Sequence, residues 1–108
     1  MITYEDHVFD ALGDQTRRAV LKRLRAGGRS VREIAEGMKV SRPAVSQHLK
    51  ILKAARLVTV QAAGTRRVYA VDKRGLESLR KWLEGFWDHT LAAFKAVAEQ
   101  EATKGRKL

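Results

Sequence analysis

Arg42, Pro43, Ser46, Gln47, Lys50 and Lys53 are the residues of this 108-residue chain whose types and spacing most suggest chemistry. Spaced at 100° per residue on a helix, they fall on one arc about 140° wide that carries no large apolar side chain. Val45, Leu49 and Leu52, with His48 beside them, fall on the other side and are expected to face a core. What the first arc offers is recognition of a nucleic-acid duplex. Arginine pairs bidentately with guanine O6 and N7, glutamine with adenine N6 and N7, serine with several base edges, and a proline ring meets a thymine methyl. Arg42, Pro43, Ser46 and Gln47 are therefore candidate base readers. Lys50 and Lys53, further along, suit phosphates. A second group, Thr65, Arg66 and Arg67 beside Gly64, suits a hairpin tip laid along the backbone or dipping into the minor groove. Ser30 and Arg32, at the start of the preceding helical pattern, are further phosphate candidates.

Other chemistries fit poorly. Ser46 and His48, two apart on a helix, point about 200° apart and cannot pair as nucleophile and base, so no catalytic residue is expected. His48 reads as a structural histidine at the core edge, His7 as solvated or partner-facing, and His89 as a surface residue. The chain has no cysteine, which excludes disulfides, thiolate metal sites and a cysteine nucleophile. Gly27-Gly28 lacks the lysine and the spacing of a phosphate-binding loop. Neither a cofactor nor a metal is expected.

Charge supports a polyanionic partner. The net formal charge is +10, yet residues 1–15 hold four acids and no Lys or Arg, and residues 16–67 hold 14 bases against Glu33 and Glu36, a block of +12. With 44% apolar residues the chain is too hydrophobic for a disordered basic tail. Its length suits one domain. No run approaches the ~18 apolar residues of a membrane span, and Met1-Ile2-Thr3-Tyr4-Glu5-Asp6 is unlike a signal peptide, so a cytoplasmic protein is expected.

The elements that must position these residues follow from periodicity and punctuation. Val8, Phe9 and Leu12 form a short apolar stripe ending at Gly13. Asp14 can cap a second helix through Val20, Leu21 and Leu24, ended by Gly27-Gly28. Ser30 and Glu33 make a capping box for a third helix over 30–37, which Gly37 breaks. Ser41 can cap a fourth with Pro43 in its first turn, running to about Ala55. Two short helices joined by a tight turn make a helix-turn-helix, here 30–55. Leu57–Ala62 and Arg66–Val71 read as a β-hairpin within 57–71, and residues 74–100 as one long helix; 101–108 are expected to fray.

The stretches FDALGDQTRRAVLKRL, SVREIAEGMKVSRPAVSQHLKILKAARLV and GTRRVYAV, covering roughly residues 9–71, resemble the ArsR-type (arsenical-resistance repressor) family of bacterial regulators. Ser46-Gln47-His48-Leu49 is the most specific piece; Asp14-Gln15 stands where family members usually carry Asp-Pro. The resemblance implies a mainly α fold with a β-hairpin wing, in the order α1-α2-α3-α4-β-β-α5, and a homodimer that represses transcription. Metal sensors of this family use Cys in the third helix or paired His and acidic ligands on the last. Here the third helix offers Val31, Arg32 and Glu33, and the last only His89 near Asp88. The resemblance is thus to the metal-independent branch, whose members are autorepressors or answer small molecules or protein partners.

The long helix carries more apolar width than one domain needs. Leu76, Leu79, Leu83, Phe86, Thr90, Ala93 and Val97 step by three and four, and Trp82, Trp87, Leu91 and Phe94 widen the stripe to about 180°, against ~100° for a single core contact. The surplus implies a second subunit, with Val8, Phe9 and Leu12 joining Trp82, Leu83, Phe86, Trp87, Leu91 and Phe94 at the interface. The expectation is a single domain over residues 1–100: a homodimeric, sequence-specific regulator of double-stranded DNA, a repressor on a palindromic operator. The rivals are a nonspecific DNA-coating protein and a protein-interaction module that has lost DNA binding.

Overall fold

Short polar side chains start the helices because their oxygens satisfy backbone N–H groups that have no partner within the first turn. In the computed structural model, which describes residues 2–105, Thr3 and Asp6 form a capping box on α1 (Tyr4–Leu12). Asp14 accepts from the Arg17 N–H ahead of α2 (Gln15–Arg23). Ser30 and Glu33 cap α3 (Val31–Glu36) reciprocally, and Ser41 accepts from the Ala44 N–H ahead of α4 (Arg42–Ala54), with Pro43 in the first turn. α2 stops four residues before Gly27, because its last bonds tighten to i→i−3 from Leu24 N–H to Leu21 O and from Arg25 N–H to Lys22 O.

β1 (Val58–Ala63) and β2 (Arg66–Val71) pair antiparallel from Val58↔Val71 to Ala63↔Arg66. The two-residue turn is Gly64-Thr65; Gly64 sits at φ +65°, the left-handed conformation that glycine supplies at the first position of a type II′ turn. Arg29 adds a short third rung to the hairpin, its N–H donating to Tyr69 O and its carbonyl accepting from Tyr69 N–H at 2.9 and 2.8 Å.

α5 (Lys73–Gly105) completes the order α1-α2-α3-α4-β1-β2-α5. Helix is assigned through Gly105, with the Thr103 hydroxyl donating to Glu99 O. Arg106–Leu108 lie outside the described residues.

The core gathers around α4, whose Val45, Leu49 and Leu52 are all fully buried. Val8 and Ala11 of α1, Val20 and Leu24, Ile34, Ala55, Leu57 and Val58 close around them. Val8 was expected at a subunit interface; it is 1% exposed and belongs to its own protomer's core. The reason is helical geometry. Val8 and Ala11 share the inward face, and Phe9, turned by 100°, stays partly outside.

Two joints hold the ends of this core. α4 ends in a Schellman arrangement: Leu57 N–H donates to Leu52 O and Arg56 N–H to Lys53 O, with Arg56 at φ +57°. The Arg56 guanidinium lies 5.2 Å from the Tyr4 ring centroid, and the Tyr4 hydroxyl donates to Ala55 O, strapping α1 across this end. At the start of α5, Asp72 is buried and accepts from Arg74 N–H at 3.0 Å, while the Arg74 guanidinium closes on its carboxylate at 2.8 Å. That guanidinium holds the Asp72 carboxyl below its ordinary pKa. Gly75 donates to Arg56 O, and a Cβ there would stand 2.6 Å from that oxygen and 2.7 Å from a Leu57 methyl.

Candidate nucleic-acid interface

The Ser41 cap and the buried Val45-Leu49-Leu52 face together set the rotation of α4. With that face turned inward, Arg42, Pro43, Ser46, Gln47, Lys50 and Lys53 are all exposed, as the arc predicts. His48 is half-buried at the edge, with its Nδ1 enclosed and unpaired. Among the described residues Arg42, Lys50 and Lys53 form no ion pair, so this face presents cations and amide groups with no competing partner of their own. Lys39, exposed in the turn two residues before Ser41, adds a cation that the sequence reading did not single out. Its signal was its place between two capped helices.

The hairpin is less uniform. Thr65 and Arg67 are exposed at its tip, and Arg67 forms no ion pair among the described residues. Arg66 instead bonds to the Glu33 carboxylate of α3, 33 positions away. The same carboxylate accepts from Ser30 N–H. Those Ser30 bonds first, then the charges of Arg66 and Arg29, hold Glu33 below its ordinary pKa. Arg66 therefore ties hairpin to helix, while its side chain remains more than half exposed. Ser30, a phosphate candidate, is buried, and its hydroxyl oxygen accepts from Glu33 N–H as the cap of α3, which leaves the hydroxyl hydrogen to donate. Arg32 is exposed and pairs with Glu36 at 3.5 Å.

A second surface lies on α5. Its first two turns pack on the domain, with Leu79 half-buried, but from Lys81 to Thr103 only Thr90 is less than exposed. Trp82, Leu83, Phe86, Trp87, Leu91, Phe94 and Val97 stand 42–64% exposed. Phe9 of α1 meets Trp82 edge-on at 4.9 Å, and Trp82 stacks on Phe86 at 5.7 Å, so an aromatic ladder runs from α1 onto the free helix. Leu12 is half-buried. The stripe was expected to divide its width between its own domain and a second subunit; its own domain takes little beyond the first turns. His89 is exposed, with Nδ1 3.0 Å from Gly85 O. Among the described residues no three His, Asp or Glu side chains gather as metal ligands, and no helix is long and apolar enough to cross a membrane.

A helix-turn-helix whose second helix presents a polar, cationic arc, followed directly by a two-stranded hairpin, is a winged helix-turn-helix DNA-binding domain. The profile of bacterial regulatory proteins of the arsR family matches residues 14–60. The chain is 50% identical over 103 residues to the HTH-type transcriptional regulator Rv2034 of Mycobacterium tuberculosis, covering 94% of this chain and 96% of that protein. It is 33% identical over 81 residues to the transcriptional repressor SdpR of Bacillus subtilis, covering 75% and 90%. Among solved structures, the homodimeric winged helix-turn-helix DNA-binding domain of Mb0332 from Mycobacterium bovis superposes with a TM-score of 0.62 at 28% identity, covering 79% of each chain. The protein belongs to the ArsR family and is a winged-helix transcriptional regulator.

Proposed function

We propose that the protein is a homodimeric repressor that occupies a near-palindromic operator and excludes other proteins from it by bulk, without catalysis and without a metal. The observation that carries this reading is the α4 arc, five exposed polar or cationic residues and Pro43, whose cations form no ion pair among the described residues. Arg42, Pro43, Ser46 and Gln47 read base edges; Lys50, Lys53, Thr65, Arg67 and, by exchange from Glu33, Arg66 hold phosphates. Phe9, Leu12 and the α5 aromatics form the two-fold interface, a reading supported by the homodimeric state of the Mycobacterium bovis domain. The named role of the Bacillus subtilis relative supports repression. The work would be done in the cytoplasm, where the DNA is. Selection of bound fragments from random DNA by the purified chain tests it: enrichment of an inverted repeat with half-sites about one helical turn apart is expected. Recovery of unenriched DNA would favour a nonspecific coating protein, and salt-independent binding to a protein would favour an interaction module.

A further inference from the structure

Where α1, α2, β2 and α5 meet, a cavity of about 260 Å³ opens to solvent, lined by Leu12, Leu21, Val71 and Leu76 together with Arg18, Lys22 and Arg25. Arg18, Leu21 and Lys22 share one face of α2, and Arg25 follows in the turn beyond it. The Arg18 guanidinium is steadied by donating to Leu12 O at 2.8 Å. No acidic residue lines the cavity, and none of its three cations forms an ion pair among the described residues. Four aliphatic side chains and three unneutralised cations around one small opening define a complement: an anionic head on a short apolar tail. The volume lies below the ~300–1,000 Å³ of drug-sized sites, which limits the tail to a single chain of modest length.

We propose that this cavity binds a medium-chain carboxylate, its methylenes against Leu12, Leu21, Val71 and Leu76 and its carboxylate at Lys22, Arg25 and Arg18. The site is separate from the α4 arc and does not depend on how that arc reads DNA. Each methylene buried contributes roughly fourfold in affinity. Affinity therefore climbs along a series of acids and levels off once the cavity is full.

The test is a methyl-detected NMR titration of the full chain at fixed ionic strength with acetate, hexanoate, octanoate, decanoate and the neutral 1-octanol. Saturable shifts at Leu12, Leu21, Val71 and Leu76 are expected with octanoate, at concentrations about tenfold or more below those needed for acetate or 1-octanol. Lys22→Ser/Arg25→Ser removes two exposed cations without touching the core. With Arg18 still in place, it should remove most of the preference for octanoate over 1-octanol and leave 1-octanol unchanged. Equal octanoate affinity in that variant would overturn the proposal. So would shifts that begin at Leu83, Leu91 and Val97 of α5, the mark of a tail spreading on the open apolar face. Cavity shifts that follow protein dilution instead of added acid would assign the cavity to a second copy of the chain, and no shift at any of these methyls would leave it without this ligand.

Discussion

α4 and α5 are both amphipathic helices with a long exposed side, and they expose opposite chemistries. α4 turns Val45, Leu49 and Leu52 into its own core and, apart from Ile51, shows solvent mainly Arg42, Ser46, Gln47, Lys50 and Lys53. α5 shows solvent Trp82, Phe86, Trp87, Leu91 and Phe94. Water hydrates the first surface well and the second badly, so the two call for different partners. A cationic arc gains by displacing counterions from a polyanion. An aromatic ladder gains by meeting another apolar surface, and the same ladder on a second copy supplies one.

Phe86→Glu should break the contrast most severely. A carboxylate set into the aromatic ladder costs several kcal/mol of association. The variant should sediment as a folded monomer and lose operator binding although the α4 arc is intact; a monomer with undiminished affinity would detach dimerisation from DNA reading. Arg42→Ala or Gln47→Ala should cost about 1–3 kcal/mol on the operator and little on random DNA, with equal losses on both denying a base-reading role.

The two wing arginines should separate. Arg67→Ala should flatten the log–log salt dependence by about one unit for each phosphate that the side chain neutralises. Arg66→Ala releases the exposed Glu33 tie as well, so it should flatten the salt dependence less than Arg67→Ala does and lower thermal stability only slightly. Matching salt slopes in the two variants would show that Arg66 holds phosphate like its neighbour.

Asp72→Asn should cost under about 1 kcal/mol of stability at neutral pH, since Arg74 is largely in solvent. The Asp72 carboxyl is held below its ordinary value by Arg74. Its contribution is therefore complete above the unfolded pKa of about 3.9 and is lost as pH falls through the lower folded value. Urea titrations of the two proteins should converge only under acid conditions. Zinc or a chelator, at constant ionic strength, should leave operator affinity unchanged; a tenfold zinc effect abolished by His89→Ala would contradict a metal-independent protein.

Local chemistry made much of this architecture readable. The Asp14, Ser30 and Ser41 caps depend on residues three apart, and the α4 arc on a period that no distant contact alters. The hairpin announced itself through Gly64 between two runs rich in Val, Thr and Tyr. Tertiary partners were not readable in the same way. That Arg66 bonds to Glu33 depends on the hairpin folding back over α3, and Arg29 meets Tyr69 across 40 positions. Val8 and Phe9 are neighbours of similar hydropathy, so the pattern could not say which would be buried. Arg56 occupies a left-handed turn that a glycine would have advertised. Ser30 carries two readings at once: its hydroxyl oxygen caps α3, as the spacing to Glu33 signals, and its hydrogen is left to donate.

The stiff corner between β2 and α5 has a consequence for the DNA itself. Asp72, Arg74 and Gly75 lock the start of α5 to the end of α4, and Gly75 has no room even for a methyl group. In a dimer joined through α5, the two reading heads are then carried like the jaws of a caliper with its screw tightened. Adding one base pair between half-sites shifts the far one by about 3.4 Å and swings it around the duplex by roughly 34°. With no slack at the corner, the DNA must untwist or one jaw must let go. The length of the spacer would then be read as strictly as its letters.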